Sequence, residues 1–176
     1  TVTVTENAAP NAGADASLTT CSNASTTALF PLLVGAQAGG TWTAPGGGAH
    51  SGTYDPAVDA SGVYTYTLNG TAPCVADQAT VTVTENAAPN AGADASLTTC
   101  SNAGTTALFP LLVGAQAGGT WTAPGGGAHS GTYDPAVDAS GVYTYTLNGT
   151  APCVADQATV TVTENAAPNA GADASL

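Results

Sequence analysis

The sequence predicts an all-β chain of tandem sandwich domains, and three observations carry that expectation. The stretch TVTVTENAAPNAGADASL stands at 1–18, 80–97 and 159–176, a period of 79 residues, and the two full copies differ only at Ser25 against Gly104. Units of that length can each hold a core of their own, unlike the shorter repeats that must stack to fold. Apolar and polar residues alternate at a period of two in several segments, and no helical period survives for three turns. Turn residues punctuate the chain at intervals of about ten residues, as in all-β sandwiches.

The repeated stretch at both ends predicts that the chain is a window onto a longer array. Residues 1–7 read as the end of a preceding repeat, 8–86 and 87–165 as two domains, and 166–176 as the start of a following one.

Within one unit, DASLTT (15–20) is a weak strand candidate. ALFPLLVG (28–35) carries Pro31, which suits an edge or bulged strand. GGTWTAP (39–45) gives a short strand with Trp42 between Thr41 and Thr43, and GTYDP (52–56) is a second weak candidate. GVYTYTLNG (62–70) places Tyr64, Tyr66 and Leu68 on one face and ends on Asn69-Gly70, a turn pair. ATVTVTE (79–85) alternates strictly, with Ala79, Val81 and Val83 on one face.

Six or seven such strands in about 80 residues describe an immunoglobulin-like β-sandwich. In DASGVYTY (59–66), Tyr64 stands where such sandwiches place a tyrosine corner, its hydroxyl bonding back to the preceding connection. Tyr66 and Leu68 then enter the core beside Trp42, and Trp121, Tyr143 and Tyr145 repeat the set. Large aromatics in alternating strands belong to a core more readily than to a sugar-binding platform.

Composition bounds the chemistry. There is no Lys or Arg against twelve carboxylates, a formal charge of −12, yet only 7% of residues are charged. Phosphate recognition needs cationic side chains, so nucleic acid and anionic membrane surfaces are not expected partners. The missing Lys also excludes Schiff-base chemistry, a P-loop and Lys–Asn isopeptide crosslinks. With 43% hydrophobic residues the chain is expected to be ordered, and ALFPLLVGA is too short a run for insertion into a membrane.

Each repeat carries two cysteines, Cys21 with Cys74 and Cys100 with Cys153, 53 residues apart both times. One pair per repeat predicts one disulfide within each domain and an oxidising compartment. No C-x-x-C is present, and zinc is not expected.

No catalytic constellation is visible. His50 and His129 stand in the Gly-rich segment GGGAHSG and read as exposed loop residues, and neighbouring Ser51 and Asp55 lack an orienting group or an oxyanion hole. Asp55 and Asp59 flank a Pro-containing turn rather than a cleft. The sequence is read as non-enzymatic. Sequons stand at Asn23, Asn69 and Asn148; Gly104 in place of Ser25 removes the first from the second repeat, and Asn69-Gly70 is better read as a turn.

At the junction, TENAAPNAGAD brings Glu85, Asn86, Asn90 and Asp94 close together in sequence around Pro89. With backbone carbonyls, and with Asp156 as an extra ligand, these oxygens suit Ca2+, although the same residue types also serve turns and caps. No cofactor is required on either reading. A short linker containing Pro restricts bending.

The order PNAGAD, Cys, LF, GGTW, GTYDPA, GVYTYT, APC and VTVTE resembles the tandem immunoglobulin-like repeats of giant Bacteroidota surface proteins, among them gliding-motility adhesins exported by the type IX system. AGAD is also similar to the opening of PKD-type domains, though their WDFGDG signature is absent. The resemblance implies a non-catalytic stalk or filament segment of an extracellular, cell-surface adhesin whose partners are neighbouring repeats. Two alternatives stand beside it: a carbohydrate-binding module with exposed Trp42, and a repeat that self-associates laterally into a multi-chain filament.

Overall fold

The computed structural model describes residues 1–169 and 171, and it divides into two compact units. The first is Thr1–Ala88 together with Thr150–Cys153, and the second is Pro89–Gly149 together with the chain from Val154 onward.

In the first unit the strands are β1 (Ala16–Cys21), β2 (Thr27–Ala28), β3 (Thr41–Thr43), β4 (Ala49–His50), β5 (Thr53–Tyr54), β6 (Gly62–Leu68) and β7 (Asp77–Asn86). They form a five-stranded sheet in the order β1-β7-β6-β3-β4 and a two-stranded sheet of β2 and β5. The second unit repeats this with β8 (Ala95–Cys100), β9 (Thr106–Ala107), β10 (Thr120–Thr122), β11 (Ala128–His129), β12 (Thr132–Tyr133), β13 (Gly141–Leu147) and β14 (Asp156–Asn165). Its sheets are β11-β10-β13-β14-β8 and β12-β9. Each unit is thus an immunoglobulin-like β-sandwich.

The alternating segments form the longest strands. Along β7 the residues Ala79, Val81 and Val83 are buried, while Thr82 and Thr84 face out. β6 lies antiparallel to it, and buried Tyr64 and Tyr66 stand opposite Val81 and Ala79. Trp42 packs on Tyr66 at 5.2 Å between ring centroids, and Phe30 meets the same ring edge-on at 5.4 Å. Leu68 is partly buried at the margin of this cluster.

Tyr64 closes a tyrosine corner by donating its hydroxyl proton to the Ala60 carbonyl at 2.7 Å, and Tyr143 does the same to Ala139. Tyr66 donates to the Gln37 carbonyl at 2.8 Å and accepts from the Gly40 N–H at 2.7 Å. A Cβ on Gly40 would stand 2.5 Å from the Thr67 carbonyl oxygen, so only glycine allows that close approach.

Two local expectations are corrected. The segment around Pro31 is a 3-10 turn, Phe30–Leu32, with strand confined to Thr27–Ala28. Proline's fixed φ suits the first helical turn, and the turn brings Leu29 and Leu33, four residues apart, into the core together. His50 is not on an exposed loop: it lies in β4 opposite Trp42, and its side chain is only 9% exposed. Among the described residues no helix is long and apolar enough to cross a membrane.

Candidate functional site: a disulfide within the first unit

β1 runs parallel to β7, with Ala16 beside Val81 and Cys21 beside Asn86. Cys21 therefore stands at the far end of β7, whereas Cys74 precedes the strand's first residue, Asp77. At about 3.3 Å per residue the strand separates the two by roughly 30 Å, and a disulfide needs Cα atoms within about 7 Å. The expected Cys21–Cys74 bond is excluded by strand direction, and the Cys100–Cys153 bond by the same register of β8 on β14.

Cys21 is bonded instead to Cys153, with Cα atoms 5.1 Å apart. The separation of 132 residues is the intrarepeat spacing plus one period. Cys153 comes from the segment Thr150–Cys153, which belongs by sequence to the second repeat and by packing to the first unit. Asn86 holds that segment, its Nδ2 donating to the Ala151 carbonyl at 2.8 Å while its own carbonyl lies 3.4 Å from Cys153 Sγ. Ser22 seals the other side: its N–H donates to the Asn86 carbonyl at 2.9 Å and its Oγ accepts from Ala88 N at 2.9 Å. Cys74 and Cys100 are free thiols.

The junction carboxylates and amides all have definite bonds. Glu85 Oε2 accepts from the Tyr54 hydroxyl at 2.8 Å. In the second unit Asn90 Oδ1 accepts from Gly92 N at 2.9 Å, Asp94 Oδ1 from Thr159 N at 2.7 Å, and Asp156 Oδ2 from Ala91 N at 2.8 Å. Asn11, Asp15 and Asp77 make the same three bonds in the first unit. These are turn and sheet contacts, and among the described residues no group of three or more His, Cys, Asp or Glu gathers at one point.

A polar network missed in the sequence lies beside β4. His50 Nδ1 accepts from Gly52 N at 3.1 Å, which leaves the ring proton on Nε2 to face Asp59 Oδ2 at 3.2 Å. Asp59 Oδ2 also accepts from Asp55 N at 2.7 Å. That backbone N–H, and secondarily the imidazole, hold the Asp59 carboxyl below its usual range. Burial, then the Glu85 hydrogen bond, push the Tyr54 phenol up to about 12. Ser51 Oγ serves its own turn, accepting from Thr53 N at 3.1 Å, so His50, Ser51 and Asp55 form no triad. No sequence signal marks this network, because β4 has only two residues; its close packing shows in the structure, where a Cβ on Gly52 would meet the Trp42 indole at 2.6 Å.

No family model matches the chain, and no curated protein matches it. Among solved structures it is similar to Drosophila OTK, extracellular domains 3-5, at 15% identity and a TM-score of 0.39. That match covers 85% of this chain and 60% of the other, so the chain spans less than two thirds of the structure it matches.

Proposed function

We propose that the chain is a segment of a non-catalytic structural repeat, a stalk or filament portion of a large extracellular surface protein of the Bacteroidota adhesin type, with gliding motility and type IX export as the setting. The observation that carries this reading is the Cys21–Cys153 disulfide, which ties one copy of the repeat to sequence belonging to the next. A bond between successive copies suits mechanical continuity, and its persistence points to an oxidising compartment outside the cytosol. The partners on this reading are neighbouring repeats and, in a filament, further copies.

The aromatic residues support the same reading over a sugar platform. Trp42 and Trp121 are 8% exposed, and all six tyrosines are buried beneath the sheets. Stacking on a sugar ring needs an exposed aromatic face. Calcium at Glu85, Asn86, Asn90, Asp94 and Asp156 is a proposal of the sequence, to be tested by melting the chain with and without chelator.

Tryptophan fluorescence and a glycan array test the function together. A spacer gives a blue-shifted emission that acrylamide quenches poorly, and no glycan signal. Saturable glycan binding with a change in emission would replace the spacer reading with the carbohydrate-binding one. Imaging of the native surface assembly, with an antibody to this repeat, should place it along a fibre; a diffuse soluble distribution would overturn the stalk role.

A further inference from the structure

We propose that Cys100 and Cys74 are the open ends of a disulfide series that runs from each repeat to the next. Cys100 bonds the cysteine standing in the place of Cys153 in a following copy, and Cys74 bonds the one standing in the place of Cys21 in a preceding copy. The inference rests on the reading of the chain as part of a repeat array, and it names the bond by which the array is joined.

Cys74 is presented as Cys153 is. Asn7 Nδ2 donates to the Ala72 carbonyl at 2.8 Å and the Asn7 carbonyl lies 3.4 Å from Cys74 Sγ, matching Asn86, Ala151 and Cys153 in both distances. The turns agree too, with Cys74 N bonded to the Thr71 carbonyl and Cys153 N to the Thr150 carbonyl, each at 2.9 Å. Cys100 is presented as Cys21 is: it ends β8 beside Asn165, and Ser101 N bonds the Asn165 carbonyl at 2.9 Å. Both halves of the bonded site are therefore built a second time, each lacking only its counterpart.

Coverage follows the same division. Thr20, Cys21 and Cys153 are 6%, 5% and 7% exposed, whereas Thr99, Cys100 and Cys74 are only partly covered. Cys74 also lines an open hollow of 460 Å³ with Pro10, Pro73 and Val75. Both free cysteines are partly exposed, at the positions where their bonded counterparts are buried.

The chemistry is thiol–disulfide exchange. The Cys100 thiolate attacks a disulfide oxidant, either a low-molecular-weight or a protein disulfide, and one thiol leaves. The partner cysteine's thiolate then displaces the second thiol, so two protons and two electrons pass from the cysteine pair to the oxidant. One bond forms at each junction.

The test compares the 176-residue chain with the same chain lengthened by one further 79-residue copy, both oxidised with glutathione disulfide, alkylated and mapped by mass. In the shorter chain Cys21–Cys153 is expected, with Cys74 and Cys100 alkylated or joined to each other between molecules, which is the same bond made by a second copy. In the longer chain Cys100 should be protected by the added cysteine in the place of Cys153, and a Cys100→Ser variant should leave that cysteine alkylated. Cysteines paired within their own copies, or a Cys100 still alkylated in the longer chain, would overturn the series. Either result would leave the spacer reading to the fluorescence and glycan measurements, so the two failures are distinguishable.

Discussion

Cys21 and Cys153 are bonded and covered, while Cys100 and Cys74, in the same local sequence and the same local geometry, are free and partly exposed. The comparison teaches that local sequence and local geometry do not by themselves decide whether a cysteine here is bonded. Everything inside the sandwich is duplicated, down to the tyrosine corner, while the cysteines differ.

The strongest way to test the shared interior is to damage it in one copy at a time. Trp42→Ala and Trp121→Ala each remove a buried indole and should each cost about 3–5 kcal/mol, enough to unfold the affected sandwich. In a urea titration the remaining tryptophan reports the undamaged unit, and far-ultraviolet circular dichroism reads the loss in the damaged one. Equal losses confirm that the interiors are equivalent, and a large inequality would break the comparison at its base.

The disulfide should separate the copies where the core does not. Removing a native disulfide typically costs about 2–4 kcal/mol, so Cys153→Ser should lower the unfolding free energy of the first unit, read from a urea titration, by that amount. Cys100→Ser changes a free thiol and should stay within about 0.5 kcal/mol. If the two variants lose equal stability under oxidising conditions, the bonded and open sites are not different in the way described.

A smaller, symmetric effect is expected from the buried phenols. Tyr54→Phe and Tyr133→Phe leave Glu85 and Glu164 without their hydroxyl donor and should cost about 1–2 kcal/mol each. Both phenols are pushed up to about 12. The folded chain holds these protons more tightly than the unfolded chain, so their contribution is whole below the ordinary phenol value of about 10. It is lost as pH rises through about 12, and absorbance of tyrosinate should show these two ionising last. At the acid end the sign reverses: Asp59 and Asp138 have lowered values, so their contribution is present above the usual carboxylate range and is lost as pH falls through the lowered value. Asp59→Asn should flatten that acid limb in a pH-dependent melt.

The least effect belongs to the one position where the copies differ. A Cβ on Gly104 meets nothing within 4 Å, so Gly104→Ser should change stability by less than about 0.5 kcal/mol. A larger shift in the melting of the second unit would show that Ser25 has a structural part in the first.

Much of this was legible in the sequence because alternation reports directly on burial. β6 and β7 are long enough for the period to show, and the corner tyrosine follows a recognisable Asp and Gly. β4, with two residues beside a Gly-rich turn, has no period to read, and His50 was misplaced with it. The apolar run around Pro31 does not alternate, so it suited a turn as well as a strand. The disulfide pairing was hidden for a different reason. Cys74 and Cys153 have the same neighbours in sequence, and only the parallel direction of β1, which composition and spacing do not carry, decides between them.

That parallel strand also raises a question of fidelity during folding. β1 and β8 both read ASLTTC, so β7 has no chemical means of telling its own first strand from the next copy's. Near-identical neighbours commonly exchange elements as they fold. Only eight residues, 87–94, lie between β7 and β8. A parallel return to the same sheet needs a crossover of about a dozen or more, so the connection is too short for β8 to turn back and take β1's seat. The brevity of the segment acts as a proofreading device, admitting the correct copy by denying the wrong one the length of chain it would need.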